Sequence, residues 1–203
     1  MKKILIATKN KGKVDDFKAI FDQDRVEIIS LLDLDSSIKD IEETGETFSE
    51  NAILKAEGIA EQMNLPVLAD DSGLSIDYLD GRPGVYSARY AGSDKDDQRN
   101  IEKVLSELEG VPLEKRRASF ICALAFAVPG KETIVKYGKC SGVIVEEPIG
   151  ENGFGYDPIF MPDGYNLTMA QLSPEEKGRI SHRGKALKEM AAWLELEGKE
   201  GFA

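Results

Sequence analysis

Pro66-Val67-Leu68-Ala69-Asp70-Asp71-Ser72-Gly73-Leu74 sets an apolar run, the length of a buried strand, against two adjacent carboxylates, a hydroxyl and a glycine. Adjacent carboxylates repel one another and lose hydration when buried, so stability alone gives little reason to place them there. At the carboxyl end of a strand in an α/β sheet, side chains point into the crevice where ligands bind. An Asp-Asp-Ser-Gly turn, with aspartate capping the next segment, is the plainer alternative. Taken alone, the segment fits both.

Upstream, Ile4 to Ala7 reads as a buried first strand. It breaks into Thr8-Lys9-Asn10-Lys11-Gly12-Lys13, after which Val14, Phe17, Ile20 and Phe21 mark the inner face of a helix. A strand, a polar glycine-containing loop and a helix N-terminus favour phosphate through backbone N–H groups and the helix dipole. The loop is no Walker A sequence, because Ala7 stands where its first glycine belongs and Val14 follows Lys13. A solvated lysine-rich turn is the commoner meaning of three such lysines; their place at a strand end favours the functional one.

Val26 to Leu32 reads as a second strand, and Thr47 with Glu50 three residues later forms a capping box that starts a helix. Its apolar stripe is Phe48, Ala52, Ala56, Ile59, Ala60 and Met63. Asn51 and Lys55 are four apart, and Lys55 borders the buried face, as a snorkelling or a functional lysine would. Glu42 and Glu43 precede this helix as dipole partners or metal ligands.

Downstream, Leu74 to Leu79 alternates as a strand, and Asp80-Gly81-Arg82-Pro83-Gly84 is turn-rich. A helix over about Asp96 to Glu109, a strand over Ala118 to Val128, and a hairpin through Pro129-Gly130 into Thr133 to Gly138 follow. Val143 to Val145 continues the sheet. Gly150 to Pro158 carries three glycines around Phe154 and Tyr156, a pattern of ligand loops as well as of long surface loops. Ser173-Pro174-Glu175-Glu176 opens another helix. Lys177, Arg179, His182, Arg183 and Lys185 form the second cationic focus, and a final helix ends near Gly198. His182 is the only histidine; alone it is more often structural than catalytic.

The 203 residues are 41% hydrophobic and 31% charged, as in a globular protein, and suffice for one sizeable core or two small lobes. A net charge of -11 disfavours non-specific binding to nucleic acid or anionic membranes. Two cysteines without metal-binding spacing, and apolar runs too short for a signal core or a membrane span, point to the cytoplasm. Oxygen ligands such as Glu42, Glu43, Asp70 and Asp71 suit Mg²⁺, or Mn²⁺ in its place, and not zinc. The simplest chemistry for such a set is metal-assisted attack of water on phosphorus with a carboxylate as base.

Six segments in order carry a resemblance: Thr8-x-Asn10-x-x-Lys13; Glu46-Thr47-Phe48-x-Glu50-Asn51-Ala52-x-x-Lys55-Ala56; Ala69 to Leu74; Pro83 to Tyr90; Gly153 to Pro158; and Ser181 to Ala186. Together they resemble the inosine/xanthosine triphosphate pyrophosphatases. The resemblance implies an α/β fold, with a long central mixed sheet flanked by helices and two lobes around an active-site cleft. It implies one domain over 1–203, a homodimer, and cleavage of ITP, dITP or XTP to the monophosphate and pyrophosphate. By the same resemblance Asp71 is proton acceptor and metal ligand, joined by Glu42 or, alternatively, Glu43. Asp70 and Lys55 complete the catalytic group. Thr8, Lys9, Asn10, Lys11, Gly12 and Lys13 meet the phosphates, and Ser72 touches substrate. Phe154, Gly155, Tyr156, Asp157, Lys177, His182 and Arg183 line the nucleotide and base pocket. A pyrophosphatase for modified pyrimidine nucleotides and a non-catalytic nucleotide-binding module are the rival readings.

Overall fold

The computed structural model describes residues 2–20, 26–34, 38–39 and 41–196. One six-stranded mixed sheet has the order β2-β1-β3-β4-β5-β6, with strands β1 (Lys2–Ile6), β2 (Val26–Ser30), β3 (Val67–Ile76), β4 (Arg117–Ala127), β5 (Ile134–Ile144) and β6 (Phe160–Pro162). Helices α1 (Lys11–Ile20), α2 (Phe48–Met63), α3 (Asp97–Glu107), α4 (Pro174–Ile180) and α5 (His182–Leu196) flank it, giving an α/β fold. Packing divides the chain into two compact units. The first holds Met1–Asp71, Cys122–Gly138 and Arg183–Ala203, and the second Ser72–Ile121 and Lys139–His182.

In the first unit β1 pairs in parallel with β2 and with β3. Parallel neighbours need crossovers, which α1 and α2 supply. Side chains alternate along each strand, and the core follows that alternation. Ile4, Ile6, Leu68, Cys122 and Leu124 pack with Phe17 of α1 and with Ala186, Leu187 and Met190 of α5. Leu5, Ala7, Val67, Ala69, Ala123 and Ala125 pack with Ala52, Ala56, Ile59 and Ala60 of α2. The stripe expected on α2 is thus its buried face, and Thr47 makes both bonds of the capping box with Glu50. Val14 and Phe17 are buried as expected; Phe21, the side chain of Ile20 and the helix end at Gly198 lie outside the described residues.

The second unit surrounds Leu74, Ile76, Phe120, Ile144 and Phe160 with Ile101 and Val104 of α3 and with Leu108, which caps that helix. Buried Arg116 donates to the carbonyls of Leu108, Val111 and Val145, placing its charge at the negative end of α3. Helix α4 starts at Ser173 with proline at its first position and a complete capping box with Glu176.

Three boundaries differ from the sequence reading. The run from Pro66 does not end at Asp70: β3 continues through Asp70-Asp71-Ser72-Gly73 to Ile76 and closes in a 3₁₀ turn over Asp77–Leu79. The stretches read separately as Thr133 to Gly138 and Val143 to Val145 are joined in one strand, β5, over Ile134–Ile144. A Cβ on Gly142 would lie 2.2 Å from the Met161 carbonyl oxygen of β6. The second strand stops at Ser30, whose N–H and hydroxyl both donate to the Asp33 carboxylate.

Candidate active site

The chain leaves β1 toward β2 on one side and reaches β3 on the other, with α1 and α2 on opposite faces. Such a reversal opens a crevice at the carboxyl ends of the strands. Thr8 to Lys13 lies there. The Asn10 N–H donates to the Thr8 hydroxyl at 3.2 Å, and the Lys13 N–H donates to the Asn10 carboxamide oxygen at 3.1 Å. Thr8 and Asn10 therefore shape and cap the start of α1, so that Lys11, Gly12 and Lys13 form its first turn. Lys9 and Lys11 are exposed, and Gly12 and Lys13 half-buried.

The pleat sends Asp70 and Asp71 to opposite faces of β3. On the α1 and α5 face, Asp70, with a side chain 1% exposed, takes Lys13 Nζ at 2.9–3.0 Å and the Arg183 Nε at 3.3 Å. Burial alone would raise this carboxyl; Lys13, Arg183 and Lys55 outweigh it and hold the group far below the ordinary aspartate value. The guanidinium of Arg183, a residue expected to line the base pocket, sits on Asp70. The Cys122 thiol shares this face, where burial pushes it up to about 12, so it is no ready nucleophile.

On the α2 face, Asp71 meets a different company. Asn51 Nδ2 donates to Asp71 Oδ2 at 3.2 Å, and Lys55 Nζ stands 3.6 Å from Oδ1. Lys55 also donates to the Asp70 carbonyl oxygen at 2.7 Å and pairs with Glu43 at 3.1 Å. Desolvation raises the Asp71 carboxyl; Lys55 opposes it and Glu43 adds to it. The like charge that matters is therefore Glu43, not adjacent Asp70, which the pleat turns away. Lys55 loses hydration too, but Asp71, Asp70 and Glu43 more than restore its charge.

Glu43 and Glu42 are sorted by how their segment lies on α2. Gln62 exchanges bonds with the Lys39 backbone, Ile41 fills the space at Gly58, Glu43 pairs with Lys55, and Gly45 bonds Asn51. Residues 39, 41, 43 and 45 thus face helix positions 62, 58, 55 and 51, a single helical stripe. Glu42, of opposite parity, is exposed. Among the described residues no three His, Cys, Asp or Glu side chains gather as a ready metal site. The Asp71 and Glu43 pair, all oxygen and brought to one ammonium, is nonetheless a donor set for a hard divalent cation, which takes further oxygens from water and phosphate.

In the second unit, Lys177 Nζ pairs with Asp157 and stands 4.9 Å from the Phe154 ring centroid. Asp157 also accepts from the Phe154 N–H at 2.9 Å. Gly153 has φ +82°, and a Cβ there would lie 2.1 Å from Asp157 Oδ2, so only glycine fits. The Gly155 N–H donates to Asp97 at 2.7 Å, and the buried Tyr156 hydroxyl donates to the Ser87 carbonyl. Phe154 remains 38% exposed. His182 is buried, parallel to Phe120 with centroids 4.9 Å apart. Ser72 is half-buried on β3, after Asp71.

The sequence reading gives no site role to Asn51, Asp97 or Phe120. The spacing of Asn51 and Lys55 by four was a usable signal for the first. Nothing local marks Asp97 or Phe120, whose partners lie 58 and 62 positions away.

The chain is 59% identical over 194 residues to a dITP/XTP pyrophosphatase of Oceanobacillus iheyensis, covering 96% of this chain and 98% of that one. It is 56% identical over 195 residues to the dITP/XTP pyrophosphatase of Bacillus subtilis, covering 96% and 98%. The solved Ham1 protein of Staphylococcus aureus matches with TM-score 0.86 and 50% identity, covering 96% and 98% of the two chains. A HAM1 protein of Coxiella burnetii matches with TM-score 0.88 and 43% identity, covering 96% and 99%. With the pattern of the Ham1 family matched over residues 4–193, the chain belongs to the Ham1 family.

Proposed function

We propose that this chain hydrolyses non-standard purine nucleoside triphosphates, dITP, XTP and ITP, to the monophosphate and pyrophosphate, and so clears the nucleotide pool. The carrying observation is Asp71, a carboxylate of raised proton affinity held by Asn51 and Lys55 beside the crevice that the Thr8–Lys13 loop borders. Two relatives above 55% identity bear the name dITP/XTP pyrophosphatase.

In this reading Thr8, Lys9, Asn10, Lys11, Gly12 and Lys13 take the phosphate chain, with Ser72 as a further contact. Water attacks the α-phosphorus and gives its proton to Asp71. A new P–O bond forms, the bridging bond to the β-phosphate breaks, and pyrophosphate leaves. Lys55 keeps Asp71 ionised for that step, and Asp70 fixes Lys13 and Arg183. Mg²⁺, or Mn²⁺, held by Asp71 and Glu43, would supply charge neutralisation for the polyphosphate. Phe154 offers the purine a ring face, with Gly155, Tyr156, Asp157 and Lys177 framing it. His182 and Arg183 are assigned donors to the 6-oxo group, Arg183 from its place on Asp70. Such donors go unpaired against the 6-amino group of adenine. The enzyme is further proposed to act as one cytoplasmic pyrophosphatase domain and as a homodimer.

The test is pyrophosphate release by the purified protein with Mg²⁺ across ITP, XTP, dITP, ATP, GTP and modified pyrimidine triphosphates. Fast release from the first three and little from the rest is the expected result. Release mainly from another triphosphate would discard the base assignment, and binding without release from any would make the chain a nucleotide-binding module.

A further inference from the structure

Asn51 is fully buried, yet it is a polar residue on the inner face of α2, a place where polar side chains are uncommon. Its carboxamide oxygen accepts the Gly45 N–H at 2.8 Å. That bond fixes the amide orientation, because a backbone N–H only donates, and so Nδ2 is turned to Asp71 Oδ2 at 3.2 Å. The approach is close: a Cβ on Gly45 would lie 2.7 Å from Asn51 Oδ1 and 2.6 Å from Glu50 Cβ. Gly45 ends the segment that brings Glu43 to Lys55, two residues before the Thr47 cap. One side chain thus joins the Glu43 segment to the carboxylate on β3.

We propose that Asn51 is a positioning residue for the hydrolysis, its carboxamide holding Asp71 in the rotamer that receives the proton from water. The proposal rests on the pyrophosphatase reading and adds a residue that acts through Asp71 and not on the substrate. Lys55 approaches one oxygen of Asp71 and Asn51 the other, so the two donors together stop the carboxylate from rotating about χ2. Losing one leaves the group present but loose, and small misplacements of a reacting group cost up to about 10²-fold in rate.

Two variants separate this role from anchoring of the Glu43 segment. Asn51→Asp keeps an oxygen for Gly45 and replaces the donor with a second carboxyl oxygen. Asn51→Leu keeps the volume and loses both bonds. Steady-state pyrophosphate release from XTP at mildly alkaline pH, where the added carboxyl is ionised, is read with amide hydrogen exchange at Gly45. In both variants kcat falls by roughly 10–100-fold with KM within about twofold of wild type, while Gly45 stays protected only in Asn51→Asp. A kcat within twofold of wild type in either folded variant overturns the proposal. So does a loss carried by KM, or one confined to Asn51→Leu. If one variant fails to fold, the other decides. Wild-type protein that releases no pyrophosphate overturns the pyrophosphatase reading instead.

Discussion

The two faces of β3 give adjacent, chemically identical residues opposite situations. Asp70 points to α1 and α5 and is surrounded by Lys13 and Arg183 at hydrogen-bonding distance. Asp71 points to α2 and receives one amide donor and one ammonium at 3.6 Å that it shares with Glu43. The first carboxyl is held well below its ordinary value and the second is raised. A carboxylate saturated with cations is poor at taking a proton; one that is desolvated and under-compensated is good at it. In the proposed reaction Asp70 is therefore the framework and Asp71 the reactive group. An alternation of period two decides which is which.

The largest expected effect breaks the comparison on the Asp71 side. Asp71→Asn should lower kcat for XTP by roughly 10²–10⁴, the range for a positioned general base. Because folding disfavours its charge, the variant should keep its denaturant midpoint or raise it. Next comes Asp70→Asn, which strands buried Arg183 and half-buried Lys13 and should cost about 3–5 kcal/mol in urea unfolding. The acid limb sharpens this. A folded carboxyl held below its unfolded value of 3.8 contributes fully above that pH and loses its contribution as pH falls through and below it. Wild-type stability should drop over that window, and the Asp70→Asn curve should be flatter there.

Smaller effects belong to the second unit and to the helix start. Gly153→Ala forces a side chain into a φ of +82° and onto Asp157. It should cost about 1–3 kcal/mol and raise KM more than it lowers kcat. Thr47→Ala removes the acceptor for the Glu50 N–H and should cost about 1 kcal/mol, read as a lowered melting temperature.

What was legible in the sequence was governed by near neighbours. The capping boxes at Thr47 and Ser173, the stripe on α2, the Asp96 start of α3 and the apolar run of β4 all rest on spacings of a few residues. The Thr8–Lys13 loop was recognisable from strand, loop and helix in succession. The course of β3 was not, because its continuity depends on Arg183, 113 positions away, making the Asp70 charge tolerable inside a strand. That Glu43, and not Glu42, is turned toward Lys55 follows from the register of their segment on α2, set by Gln62, Gly58 and Asn51 together. Motifs shared with the pyrophosphatases placed Arg183 at the base; only the fold puts its guanidinium on Asp70.

The most direct test of the division between the two aspartates is a ¹³C-NMR titration of their side-chain carboxyls in metal-free protein. The account predicts that Asp71 titrates above the ordinary aspartate value of 3.8, while Asp70 stays ionised well below it. The reverse order, or both groups titrating together near that value, would contradict it.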